Sequence, residues 1–287
     1  MNARSGLVAI AMALLSSPAW AQSLSDFEQI NNYDISTLIP ESAGKAIVGT
    51  LATLLNHRSY RPATSLGSTG LLTGLEVTLQ KFPESFNEAL TTAGVGSGLT
   101  SSLPALPALK LHLRKGMGPL VEGGLSGIYA KGIYWLGGDL KVTVYQPSEG
   151  VTAAVQMGYN MLFVDPSSYG VGGIPLTIGS ISMGTVTPRF KAQTYAPRLI
   201  LSRDLGVADP YIGAGYEWST GSIEVPLKVP ELSIDRTLST PTYVTTNPHI
   251  FVGLGLNFTP IPIRWSFAMT YSQAGSHGMG TVFSFGF

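Results

Sequence analysis

The sequence predicts an all-β fold: a transmembrane, antiparallel, up-and-down β-barrel of about ten strands (range 8–12), preceded by a short N-terminal helical segment. Three observations predict it. Apolar and polar residues alternate with period two in stretches of about ten residues, the length a tilted strand needs to cross a bilayer. Charged side chains make up only 12% of the 287 residues, about half the ~25% usual for soluble domains. The connections between the alternating stretches also sort by length onto opposite sides.

Residues 1–22 read as an export signal. Arg4 supplies the positive end, residues 7–15 the apolar stretch, and Pro18, Ala19 and Ala21 the small-residue cleavage site. The apolar stretch is too short to span a bilayer as a helix. The expected organisation is therefore a signal peptide at 1–22, a helical plug or cap at 23–66, and the barrel at 67–287. In the helical part, Ser25 and Glu28 have capping-box spacing. Pro40 and Glu41 suit the first turn of a second helix. From there Ala43, Ile47, Leu51 and Leu54 recur at three- and four-residue steps and form one apolar stripe, which needs a surface to lie against.

After Gly67 the period changes to two. Leu71, Thr73, Leu75, Val77 and Leu79 alternate with Leu72, Gly74, Glu76, Thr78 and Gln80. Leu109, Leu111 and Leu113 alternate with Lys110, His112 and Arg114. Val121, Leu125 and Tyr129 oppose Glu122 and Ser126, and Tyr134, Leu136, Leu140, Val142 and Val144 oppose Asp139, Lys141 and Thr143. Val151, Val155, Met157 and Tyr159 oppose Gln156 and Asn160. Further strands are expected near 191–201, 211–222, 250–258, 263–271 and 279–287.

With entry from the periplasm, the connections after even-numbered strands are short: 116–119, 146–150, 203–210 and 259–262. The long ones, 82–107, 164–190 and 223–248, all fall on the other side, together with two short ones around Lys131 and Gly275, as in outer-membrane barrels. The run LPALPAL at 103–109 reads as a loop approaching its strand in a polyproline-like conformation. Tyr129, Tyr134, Tyr159, Phe163 and Tyr271 fall at the expected outer ends, and Phe258, Phe285 and Phe287 at the opposite ends, like two aromatic girdles.

The last eight residues, GTVFSFGF, place Phe283, Phe285 and Phe287 in alternation at the terminus. In this the sequence resembles Gram-negative outer-membrane β-barrels, whose terminal aromatic strand is the signal read by the barrel-assembly machinery. The resemblance implies an outer-membrane location reached through the periplasm, with outer-membrane lipid and the assembly machinery as partners. A helical lead-in before a barrel is also similar in outline to fatty-acid-transporter-type barrels with an N-terminal plug, though those chains are longer and carry more strands.

Lys+Arg and Asp+Glu are 17 each, so the zero balance excludes a basic nucleic-acid surface. The absence of cysteine excludes disulfides, thiolate zinc sites, cysteine nucleophiles and an acylated anchor. Glu76, Gln80, Lys110, His112, Arg114, Glu122, Asp139, Lys141, Glu217, Asn257 and Arg264 are the expected lumen lining. Adjacent strands should bring Lys110, His112 and Arg114 near Glu122, and Asp139 near Lys141. Gly213, Gly215, Gly253 and Gly255 read as bends or as space left in the lumen. No metal site or cofactor is expected, because the four histidines lack ligand spacing. Ser276 and His277 are neighbours but would point to opposite faces, so no catalytic residue is assigned. The expected function is passage or capture of a small solute, a hydrophobic one included. The alternatives are a barrel that only presents its loops, and an outer-membrane lipid hydrolase.

Overall fold

The computed structural model describes residues 39–54, 61–81, 83–92, 105–130, 132–165, 174–178, 181–229, 234–258, 261–273 and 277–286. The export signal, Ser25, Glu28, His57, Ser276 and Phe287 lie outside the described residues, as do the side chains of Leu54 and Tyr129. Among the described residues two helices are present: α1 (Glu41–Leu54) and α2 (Glu84–Thr92). The wall consists of β1 (Leu71–Lys81), β2 (Ala105–Gly116), β3 (Val121–Ala130), β4 (Ile133–Tyr145), β5 (Val151–Val164), β8 (Arg189–Arg203), β9 (Ala208–Val229), β11 (Tyr243–Phe258), β12 (Ile263–Ser272) and β13 (His277–Gly286). These ten strands pair in that order, and β13 returns antiparallel onto β1 from Leu72↔Gly286 to Gln80↔Gly278. Closure leaves no free edge, as a sheet immersed in hydrocarbon requires.

The short connections are tight turns made possible by local chemistry. Between β8 and β9 the Asp204 carboxylate accepts the Gly206 N–H at 2.7 Å, and Gly206 takes φ 87°, a conformation that suits glycine. The long connections carry structure of their own. One holds α2, another the two-stranded hairpin of β6 (Ile174–Ile178) and β7 (Ile181–Val186), and the third β10 (Ile234–Ser239), which pairs with the end of β9.

The strands overrun the expected boundaries. β2 begins at Ala105, with Pro107 opposite Leu79, so the expected polyproline-like approach is corrected to strand over 105–109. β9 reaches Val229 and β11 starts at Tyr243, where the sequence suggested loop. Proline is tolerated because one side of each strand is unpaired at that point. β2 meets β3 only from Leu111 onward, and β11 meets β12 only from His249, just past Pro248. Pro197 in β8 sits in a gap of the β8–β9 ladder between Tyr195↔Trp218 and Arg198↔Gly215. Pro210 lies just beyond that ladder's end at Ser202↔Tyr211.

Candidate functional site in the barrel lumen

The wall is inside-out relative to a soluble protein. On β2, Lys110 is 0% exposed while its neighbour Leu111 is 68% exposed, and the same alternation runs along β1, β4, β5, β8 and β12. The interior is occupied by the chain's own N-terminal segment. α1 lies inside the barrel at the long-loop end, against the inward faces of β8, β9 and β11. Glu41, Ser42 and Lys45 near its start are exposed, with Lys45 and Glu41 paired at 2.6 Å, but from Ala46 to Thr53 no residue is exposed. Ala43 and Ile47 of the expected stripe are buried and Leu51 is half-buried. Val48 and Ala52 are buried as well, since a helix inside a barrel needs more than one apolar face.

Close approach explains two glycines. A Cβ on Gly44 would meet the Tyr243 ring at 2.3 Å, and one on Gly221 of β9 would meet Val48 at 2.6 Å. Below the helix, the Asn247 amide of β11 donates to Glu217 at 3.0 Å, with Thr53 Oγ1 at 3.5 Å. The chain then crosses the short-turn half of the lumen as residues 61–66. There Lys141 Nζ donates to the carbonyls of Pro62 (2.8 Å) and Thr64 (2.9 Å). Thr143 donates to the Ala63 carbonyl at 2.8 Å, and the Leu66 N–H donates to Glu122 at 3.1 Å.

The polar lining forms one ion pair and one connected ion network in the middle of the lumen. Lys110 pairs with Glu76 at 3.0 Å. Arg114 reaches Glu122 at 3.1 Å and both Asp139 oxygens at 2.6 Å. Lys141 pairs with Glu122 at 2.6 Å, and the Gln156 amide donates to Asp139 at 2.6 Å. These three cations and three anions are all nearly fully buried. Two expected neighbourhoods differ. Lys110 turns to Glu76, directly opposite on β1, and Lys141 turns to Glu122, directly opposite on β3, instead of to Asp139 two residues along its own strand. Cross-strand partners are the closest side chains on one face of a sheet. Gly124 leaves the room that Arg114 and Asp139 need, for a Cβ there would lie 2.5 Å from the carboxylate. His112 and Glu217 are buried in the lumen and Arg264 is half-buried at its short-turn end. His249 stands 3.6 Å from Glu217.

Inward aromatics are the feature that pattern reading missed. Trp135 and Tyr243 belong to the apolar cluster around α1, with Phe86 of α2 joining from above. Lys110 Nζ sits 4.7 Å over the Trp135 ring. Lower down, Tyr211 and Phe251 pack together, 6.4 Å between centroids. The glycine tracks make room for them. A Cβ on Gly213 would strike Phe251, one on Gly215 His249, one on Gly253 Tyr211, and one on Gly255 Pro62. The space those glycines leave is thus filled by rings and by the plug segment. Glycines facing bulky residues on the next strand were the available sequence signal.

Outside, Leu75, Leu113, Leu125, Leu136, Val155, Ile212 and Val252 form a continuous exposed apolar belt. Tyr134 and Tyr271 flank it at the long-loop end, joined by Tyr195 and Trp218, with Trp265, Phe258 and Phe285 at the short-turn end. A closed antiparallel cylinder with such a belt has hydrocarbon as its outer solvent. The chain is an outer-membrane β-barrel. No protein-family model matches it, and no curated protein does. Among solved structures the barrel is similar to Neisserial surface protein A (10% identity, 76% of this chain and 95% of that one, TM-score 0.28). It is similar to the attachment invasion locus protein Ail of Yersinia pestis (9% identity, 76% and 97%, TM-score 0.28). It is also similar to the toluene transporter TbuX of Ralstonia pickettii (10% identity, 88% and 97%, TM-score 0.30). With scores this low, assignment to the outer membrane rests on the barrel's own closure and lipid-facing belt.

Proposed function

We propose that this barrel passes or captures a small solute and that residues 39–66 are its plug. One observation carries the reading: residues 39–54 occupy the long-loop half of the lumen and residues 61–66 cross its short-turn half. Ten strands give an interior that side chains can nearly fill, so a further helix inside is an obstruction. Apolar contact along its length, with its last turn tied to Asn247 through Thr53, holds the helical half, whereas several hydrogen bonds to the wall pin residues 61–66. That asymmetry supports α1 as the movable part. The apolar surroundings of Trp135, Tyr243 and Phe86 support an apolar or aromatic solute at the outer mouth. Deleting residues 25–60 should raise single-channel conductance in planar bilayers severalfold; unchanged conductance would remove the plug reading.

The pinned lower half favours a second reading, a permanently closed barrel that presents its long loops to surfaces or partners. It requires negligible conductance with or without residues 25–60. Neither reading gives His112 or His277 a catalytic role, and His277 stacks on Tyr271 at 4.9 Å. We further infer that the lipid-facing rings of Phe283 and Phe285 on β13 serve recognition by the barrel-assembly machinery, with outer-membrane lipid as the lasting partner.

A further inference from the structure

At the short-turn end, between the plug segment and the wall, lies a polar cavity of about 260 Å³. Arg61 of the plug segment and Arg264 of β12 both line it, with Asp204 and Asp209. Arg61 is 7% exposed, yet among the described residues it has no hydrogen-bond or ion-pair partner. Three other buried cations of the lumen are matched, Lys110 by Glu76, and Arg114 and Lys141 by Glu122 and Asp139. Neither arginine forms an ion pair with Asp204 or Asp209 among the described residues, and Asp209 instead accepts the Asn257 amide at 2.9 Å.

Two guanidiniums facing one small chamber repel each other, and a buried guanidinium whose donors meet no acceptor is expensive, even with the charges of Glu122, Asp204 and Asp209 in its surroundings. An anion between them removes both costs. The planar guanidinium fork matches the oxygens of a carboxylate or phosphate. We propose that Arg61 and Arg264 bind a small oxyanion, a carboxylate or phosphate group, at the periplasmic mouth of the lumen. The chamber holds a group of that size, and Asn257 and Ser266 on its wall supply neutral polar contacts. The site does not depend on transport, because a permanently closed barrel would bind the same anion.

The test uses the full chain folded in detergent, with its unfolding midpoint read from gel mobility of the folded form. Inorganic phosphate and acetate are titrated separately against sodium chloride of equal ionic strength. Phosphate, acetate or both should raise the midpoint saturably beyond chloride. A response to phosphate alone indicates a free phosphate ligand, and a response to acetate a carboxylate-bearing solute. Arg264→Gln should weaken the apparent affinity by about tenfold or more, the equivalent of one lost charge-assisted hydrogen bond. Arg61→Gln should do the same, and Arg61→Lys should restore part of it. Arg203→Gln, at an exposed position near the same end, should titrate like the wild type. Equal stabilisation by chloride, or an unchanged titration of Arg264→Gln, would overturn the proposal, and the latter decides even if Arg61→Gln fails to fold.

Discussion

Glu122 shows why single side chains matter in this lumen. It accepts from Arg114, from Lys141 and from the Leu66 N–H, so it joins three strands and the plug segment. Removing one member of a buried pair leaves an uncompensated charge and costs about 3–5 kcal/mol. Glu122→Gln keeps the shape and removes the charge that Lys141 and Arg114 share. The folded form should then lose its distinctive gel mobility at a clearly lower temperature than the wild type. A midpoint within experimental error of the wild type would mean that water in the lumen already screens the network.

At the scale of elements, period-two alternation was enough to assign each face, because register in a membrane strand cannot slip without turning its charges to lipid. Leu111 outward and Lys110 inward follow from that alone. The prolines were misleading. Pro107, Pro210 and Pro248 look like ends of strands in the sequence. Yet a proline lacks only one donor, and staggered ladders leave stretches where that donor has no partner to miss. The pairing choices of Lys110 and Lys141 depend on inter-strand register, which one strand's sequence does not contain. The lipid-facing assignment has its own test. Leu111→Arg should destabilise the barrel by about 2–4 kcal/mol if Leu111 lies near the bilayer midplane, measured by denaturant titration in lipid vesicles. The substitution Met117→Arg, in the exposed β2–β3 turn, should change stability far less.

For the whole molecule, the question is whether α1 moves. The chain has no cysteine, so a designed pair is free of competing thiols. A Cβ on Gly49 lies 3.4 Å from that of Thr245, close to the 3.5–4.5 Å span of a disulfide. The double variant Gly49→Cys, Thr245→Cys should be closed when oxidised and recover wild-type conductance on reduction, recorded in the same bilayer. Identical low conductance in both states would favour the loop-presenting reading.

A last consequence concerns the order of assembly. Thr53 meets Asn247 across 194 positions of sequence, so α1 cannot dock fully until β11 has been made. The segment nevertheless ends up encircled by the finished cylinder. Residues 61–66 are held by β3 and β4, so that part of the guest is anchored while the later hairpins close, and the β1–β13 seam, joining the two most distant strands, is the natural last zipper. Loop-closure entropy makes such remote pairing slow, which gives the guest time to enter before the ring is sealed.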